Sequence, residues 1–220
     1  PEAKTLEYAG LCLQARQVGG DYFDFLDLGQ HRLGLVIGDV SGKGIAAALL
    51  MANLQANLRS QCAGACAHPE LFLQSVNRLF FENTVDSAYA SLFFAEYDDD
   101  SRRLRYANCG HLSGLIVRPD DTCQRLESTG TLLGLFPKWE SSIAENKLSP
   151  GDLLALYTDG ITEATNEDGR EFGEDLLIEK LSEHRDLACE SLAHAVAEEV
   201  RNFSPHEQYD DITLIVAKGK

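Results

Sequence analysis

Apolar and polar positions alternate along this chain in short bursts, broken by four longer stretches with helical spacing. Runs rich in β-branched, aromatic or Leu residues predict strands over 11–16, 22–28, 33–37, 90–97, 104–107, 114–117, 153–157 and 212–217. Helices are predicted over 44–60, 69–83, 174–184 and 191–203. Pro69 suits a first helical turn, and Glu174 and Asp175 after Gly173 set negative charge at the positive end of a helix. The opening of the first helix, from Ile45 to Ala52, is apolar around its whole circumference, which predicts packing against a sheet. Asp98-Asp99-Asp100-Ser101 and Pro119-Asp120-Asp121 read as hairpin turns, so the strands they join should pair antiparallel. Strands lie before and between the helices without a regular strand-helix alternation. The expected class is therefore α+β, a four-layer α-β-β-α sandwich of two mainly antiparallel sheets, within a single domain over 1–220.

Composition narrows the function classes. The chain has 220 residues, 44% hydrophobic and 25% charged, with a formal net charge of −16. That excess of acid argues against nucleic acid or an anionic membrane surface as partner. There is no apolar run long enough to span a bilayer, so a soluble cytoplasmic domain without membrane contact is expected. The six cysteines are scattered with no Cys-x-x-Cys pair, as suits reduced thiols. Cys62, Cys66 and His68 lack a fourth ligand for zinc, so no zinc is expected there. The sequence begins at Pro1 with no Met, basic stretch or apolar leader, and reads as a piece of a longer protein.

Four acidic positions share one local grammar, an Asp at a turn or strand end flanked by glycine or by an apolar strand. They are Asp21 in Gly19-Gly20-Asp21, Asp39 in Gly38-Asp39-Val40-Ser41-Gly42-Lys43-Gly44, Asp159 in Tyr157-Thr158-Asp159-Gly160, and Asp210 in Tyr209-Asp210-Asp211-Ile212-Thr213. Carboxylates without Cys or His among them are hard oxygen ligands, suited to magnesium or manganese. Two such ions would clamp a phosphoryl group and acidify a water. An Asp in a turn more often serves the turn itself; Asp98, Asp99, Asp100, Asp120, Asp121 and Asp168 are read that way, as solvated loop residues. Gly42-Lys43 does not make a nucleotide-binding loop, because Ile37 stands where an earlier glycine is needed and Gly44 replaces Ser or Thr.

The ordered set of motifs resembles the bacterial serine/threonine phosphatases of the sporulation stage II E type, a branch of the metal-dependent phosphatases related to PP2C. It runs from Val18-Gly19-Gly20-Asp21-Tyr22-Phe23-Asp24 through Ile37-Gly38-Asp39-Val40-Ser41-Gly42-Lys43-Gly44, Tyr106-Ala107-Asn108-Cys109-Gly110-His111, Leu133-Gly134-Leu135 and Tyr157-Thr158-Asp159-Gly160-Ile161-Thr162-Glu163 to Tyr209-Asp210-Asp211-Ile212-Thr213. The resemblance implies two Mn2+ or Mg2+ ions. Asp39 would bridge them with the Val40 carbonyl completing one site, Asp159 and Asp210 would hold one ion, and Asp21 the other. Asp211 is a second-choice ligand. Asp39 and Asp159 would thus carry catalysis, hydrolysis of phosphoserine or phosphothreonine by in-line attack of an activated water without a phosphoenzyme.

The implied substrate is a phosphorylated anti-sigma-factor antagonist, under an upstream sensor or receiver domain in the same chain, and a homodimer is compatible with this arrangement. No early Arg stands where eukaryotic relatives hold substrate phosphate; Arg16 and Lys43 are near that place in sequence. Asn108, His111 and Lys43 are candidate substrate contacts. For His111 the competing reading, a histidine satisfied inside a turn, is preferred. The alternative function is a catalytically silent adaptor that binds a sigma-factor regulator, which would be expected to have lost a metal carboxylate; none is lost here.

Overall fold

A computed structural model describes residues 1–62, 68–84, 88–205 and 208–220. In chain order the elements are β1 (Leu6–Leu13), β2 (Asp21–Gly29), β3 (Arg32–Val40), α1 (Ile45–Gln61), α2 (Pro69–Asn83), β4 (Ala90–Asp98), β5 (Arg103–Cys109), β6 (Gly114–Val117), β7 (Cys123–Leu126), β8 (Ala144–Lys147), β9 (Leu153–Tyr157), α3 (Asp159–Thr162), α4 (Gly173–Glu183), α5 (Cys189–Phe203) and β10 (Ile212–Gly219). One sheet runs β1-β10-β9-β6-β7 and the other β2-β3-β4-β5-β8. Every neighbouring pair is antiparallel, including the β4–β5 and β6–β7 hairpins expected from their acidic turns.

Successive side chains on a strand point to opposite faces, so strands buried on both faces read as continuous apolar runs. In β3, Val36 packs with Leu54, Leu58, Phe72 and Phe80 under α1 and α2. Its neighbours Leu35 and Ile37 face the other way and meet Phe93, Leu154, Leu156 and Ile215 between the sheets. In β9, Ala155 and Tyr157 pack with Leu177, Leu192 and Val196 beneath α4 and α5. Three apolar layers therefore separate four structural ones, in the expected order of helix, sheet, sheet, helix. Burial of an aliphatic side chain in such a layer stabilises by about 1.5–3 kcal/mol.

The structure corrects several expectations. The first strand begins at Leu6, because its whole length pairs with β10 from Leu6↔Gly219 to Leu13↔Ile212. The short edge strands β7 and β8 carry mostly polar residues and showed no strand pattern. The apolar opening of α1 is not enclosed all round: Ile45 and Leu49 are 74% and 67% exposed, while Ala47, Leu54 and Leu58 face the sheet. A helix presents one stripe to one sheet, and among the described residues no further layer covers the opposite side. Asp99 is no solvated loop residue; it is buried, accepting hydrogen bonds from the Lys4 and Thr5 amides at 2.8 Å each and from Thr5 Oγ1 at 2.6 Å, which tie down the N-terminal segment. Cys66, one of the three residues weighed for zinc, lies outside the described residues. Among those described, no helix is long and apolar enough to cross a membrane.

Candidate metal centre

Both sheets end at the same place. Asp21 and Asp39 are cross-strand partners at the open end of the β2–β3 hairpin. In the other sheet β9 and β10 are antiparallel neighbours, so Asp159, just after β9, emerges beside Asp210 and Asp211, just before β10. Strand direction alone thus delivers acids from remote parts of the sequence to one edge of the sandwich.

Two threonines join the sheets at that edge. Thr158 Oγ1 and Thr213 Oγ1 donate to the same oxygen, Asp21 Oδ2, at 2.7 and 2.5 Å, and the Thr213 amide donates in turn to Thr158 Oγ1 at 3.1 Å. Both threonines stand in the motifs next to acids, yet a hydroxyl beside a carboxylate carries no distinctive sequence signal of its own. Asp211 is buried and accepts from the Ala15 amide at 2.8 Å. Asp210 is half-exposed and pairs with Lys43, whose Nζ lies 2.8 Å from Asp210 Oδ2 and 4.1 Å from the centre of the Tyr209 ring.

The glycines before Asp21 are needed for close approach. A Cβ on Gly19 would lie 1.6 Å from Asp211 Oδ2. One on Gly20 would lie 2.6 Å from the Val40 carbonyl oxygen and 3.1 Å from Asp39 Oδ1. Two of the oxygens singled out as ligands therefore face one small cradle that any side chain at position 20 would fill.

Charge crowding shows in the acidities. Burial, followed by the charges of Asp159, Asp210 and Asp211, pushes Asp39 up to about 7, while Lys43 pulls it back. Burial pushes Asp21 up to about 8 against the two threonine hydroxyls, with Asp39 and Asp211 adding to the rise. Asp159 is raised by burial and by Asp210. Glu163, one helical turn on, is raised by burial and then by Asp159. Among the described residues no three His, Cys, Asp or Glu side chains converge closely enough to hold a metal ion as they stand. The donor set nonetheless fits hard divalent cations: oxygen ligands from both sheets repel one another, and a cation is what relieves that repulsion.

The other candidate contacts lie behind this edge. Asn108 is fully buried; its Nδ2 donates to the Leu112 carbonyl at 3.1 Å and its Oδ1 accepts from the His111 amide at 2.9 Å. The His111 ring is held between Ser91 Oγ and the Tyr157 carbonyl, and burial lowers its pKa to about 4. Lys43 alone of the three stands at the mouth. Beside it opens a cavity of about 580 Å³ lined by Gly160, Glu163, Arg201, Gln208, Tyr209 and Asp210, among others.

Solved structures carry the same architecture. The SiaA-PP2C domain of Pseudomonas aeruginosa superposes with a TM-score of 0.84 at 20% identity, over 97% of this chain and 85% of that one. The catalytic domain of the serine/threonine protein phosphatase PstP, crystallised in complex with two manganese ions, gives a TM-score of 0.74 at 16% identity, over 97% and 98% of the two chains. The fold is that of PP2C-type domains. Sequence comparison is more specific. Phosphoserine phosphatase RsbU of Bacillus subtilis (strain 168) is 30% identical over 222 residues, spanning 100% of this chain and 65% of the relative's own length. The chain belongs to the Stage II sporulation protein E (SpoIIE) family, whose profile matches residues 29–220. That match takes in Asp39, Asp159 and Asp210, and begins after Asp21.

Proposed function

We propose that this domain is a divalent-metal-dependent hydrolase of phosphoserine and phosphothreonine monoesters in proteins. One observation carries the reading: Asp21, Asp39, Asp159 and Asp210 reach one edge from two sheets, where burial, followed by the charges of Asp159 and Asp210, raises Asp39 to about 7. The family, and the name of its relative RsbU, support the same chemistry.

Asp39 and the Val40 carbonyl would hold a pair of Mn2+ or Mg2+ ions together with Asp159 and Asp210 on one side and Asp21 on the other, with Asp211 in reserve. When bound, the cations neutralise phosphoryl charge and acidify a water for in-line attack. The protein's own share is positional. Thr158 and Thr213 fix one oxygen of Asp21, and Lys43 pairs with Asp210. Lys43, half-exposed at the mouth, places an ammonium where a phosphate dianion would arrive. The substrate we infer is a small phosphorylated anti-sigma-factor antagonist, and control would come from a sensor or receiver domain in the same protein.

Phosphate release from an aryl phosphate and from a phosphoserine protein, with manganese and then with a chelator, tests the reading. Asp39→Asn should lower metal-dependent turnover by roughly two orders of magnitude or more; turnover untouched by the chelator would refute it. The adaptor reading draws on the Lys43–Asp210 contact, which gives Asp210 a cation of the protein's own. Failure to bind millimolar manganese in a calorimetric titration would favour it.

A further inference from the structure

The chain crosses from one sheet to the other after β5, and His111 sits in that crossing before β6 begins. Its position is fixed from below by Asn108, which accepts from the His111 amide at 2.9 Å and donates to the Leu112 carbonyl at 3.1 Å. The ring then spans the gap between sheets. Nε2 lies 3.1 Å from the carbonyl oxygen of Tyr157, the last residue of β9, and Nδ1 lies 2.8 Å from Ser91 Oγ on β4. A carbonyl only accepts, so Nε2 carries the proton and Nδ1 accepts from the serine hydroxyl.

Both partners stand next to an acid of the site. Ser91 is the cross-strand partner of Asp39. Tyr157 is two residues before Asp159. The chain Ser91–His111–Tyr157 therefore links the strand end that presents Asp39 to the strand end that presents Asp159, across two sheets that share no backbone ladder between these strands. We propose that His111 is a positioning residue that sets the separation of Asp39 and Asp159, and hence the grip on the divalent cations, without touching substrate. This rests on the reading of those two aspartates as metal ligands. Groups hydrogen-bonded directly to a metal ligand typically change metal affinity about 10–100-fold when removed, and His111, one residue further out, is expected at the lower end of that range.

The test is manganese affinity by calorimetry at about pH 8, read beside the melting temperature of the metal-free protein, for wild type, His111→Leu, His111→Gln and Ser91→Ala. Expected is a loss of about tenfold or more for His111→Leu. His111→Gln, whose amide donates to the Tyr157 carbonyl and accepts from Ser91, should stay within about threefold of wild type. Ser91→Ala should weaken binding less than His111→Leu, and the double variant should be no weaker than His111→Leu, since both act through one link. A His111→Leu protein that melts lower but binds manganese like wild type would overturn the proposal and leave the ring a purely structural brace. Normal metal affinity with a raised KM for phosphoprotein would overturn it in favour of a substrate contact. Should His111→Leu fail to fold, unchanged affinity in Ser91→Ala refutes the link. Absence of manganese binding by wild type would instead remove the metal reading, and this proposal with it.

Discussion

Asp21 offers a prediction whose size follows from its surroundings. It is 6% exposed, and its acidity is shifted from 3.8 to about 8, mainly by burial. In the unfolded chain the same group ionises near pH 4. Between those values the folded state holds a proton that the unfolded state has lost, so stability in the metal-free domain must fall as pH rises. The contribution is fully present below about pH 4 and is gone above about pH 8. From about pH 5.5 to 8, at about 1.4 kcal/mol per pH unit, the loss is roughly 3 kcal/mol. For a domain of this size that is roughly 6–12 °C in Tm. Thermal melts in chelator across that range should show the decline. Asp21→Asn, which cannot ionise but keeps an oxygen for the Thr158 and Thr213 hydroxyls, should flatten it and overtake wild type near pH 8. Saturating manganese should reverse the order, because a cation stabilises the ionised carboxylate. Equal pH slopes for the two metal-free proteins would refute the reasoning.

Other outcomes follow from the same geometry. Gly19→Ala would set a Cβ 1.6 Å from Asp211 Oδ2, so the carboxylate must leave its contact with the Ala15 amide; a cost of about 1–3 kcal/mol is expected in urea denaturation. Arg59 holds buried Asp24 through Nε at 2.7 Å and Nη2 at 2.5 Å, pinning α1 to β2. Because Arg59 is 57% exposed, water replaces part of what Arg59→Ala removes, and about 1–2 kcal/mol should be lost, again by urea. Lys43→Gln should raise manganese affinity about 1.5- to 5-fold, since an exposed pair with Asp210 is worth about 0.2–1 kcal/mol; calorimetry at about pH 8, where Asp39 is mostly ionised, would show the opposite if Lys43 served chiefly to keep the acids charged.

Much of this architecture was legible because both-face burial writes itself into a strand as an unbroken apolar run. β9 is such a case, β4 nearly so with Ser91 and Glu96 among its apolar residues, and the sequence pattern starts both correctly, at Leu153 and Ala90. Where a strand is covered on one side only, or lies at an edge, the signal fades. Ala144-Glu145-Asn146-Lys147 looks like a loop until Tyr106 and Leu104 are found pairing with it. The acids were legible through the glycines and apolar strands beside them, and their order along the chain carried the family. What held them was not. Thr158 and Thr213 bind Asp21 from 137 and 192 residues away, and His111 acts through a serine and a backbone carbonyl. Such partnerships depend on which strand ends meet in space, which no local pattern records. Asp99 failed in the opposite sense, as an acidic turn residue whose carboxylate is taken up by the N-terminal segment.

Because the acids hang from two sheets pressed together over one apolar seam, the cluster works as a caliper with a jaw on each. Phe93, Tyr106, Leu154 and Ile215 are buried together in that seam. On the proposed metal reading, a sub-ångström slip between the sheets, caused far from any carboxylate, would change which cation fits the gap. Repacking the seam would then be a route to retuning ion choice while leaving the proposed ligands untouched.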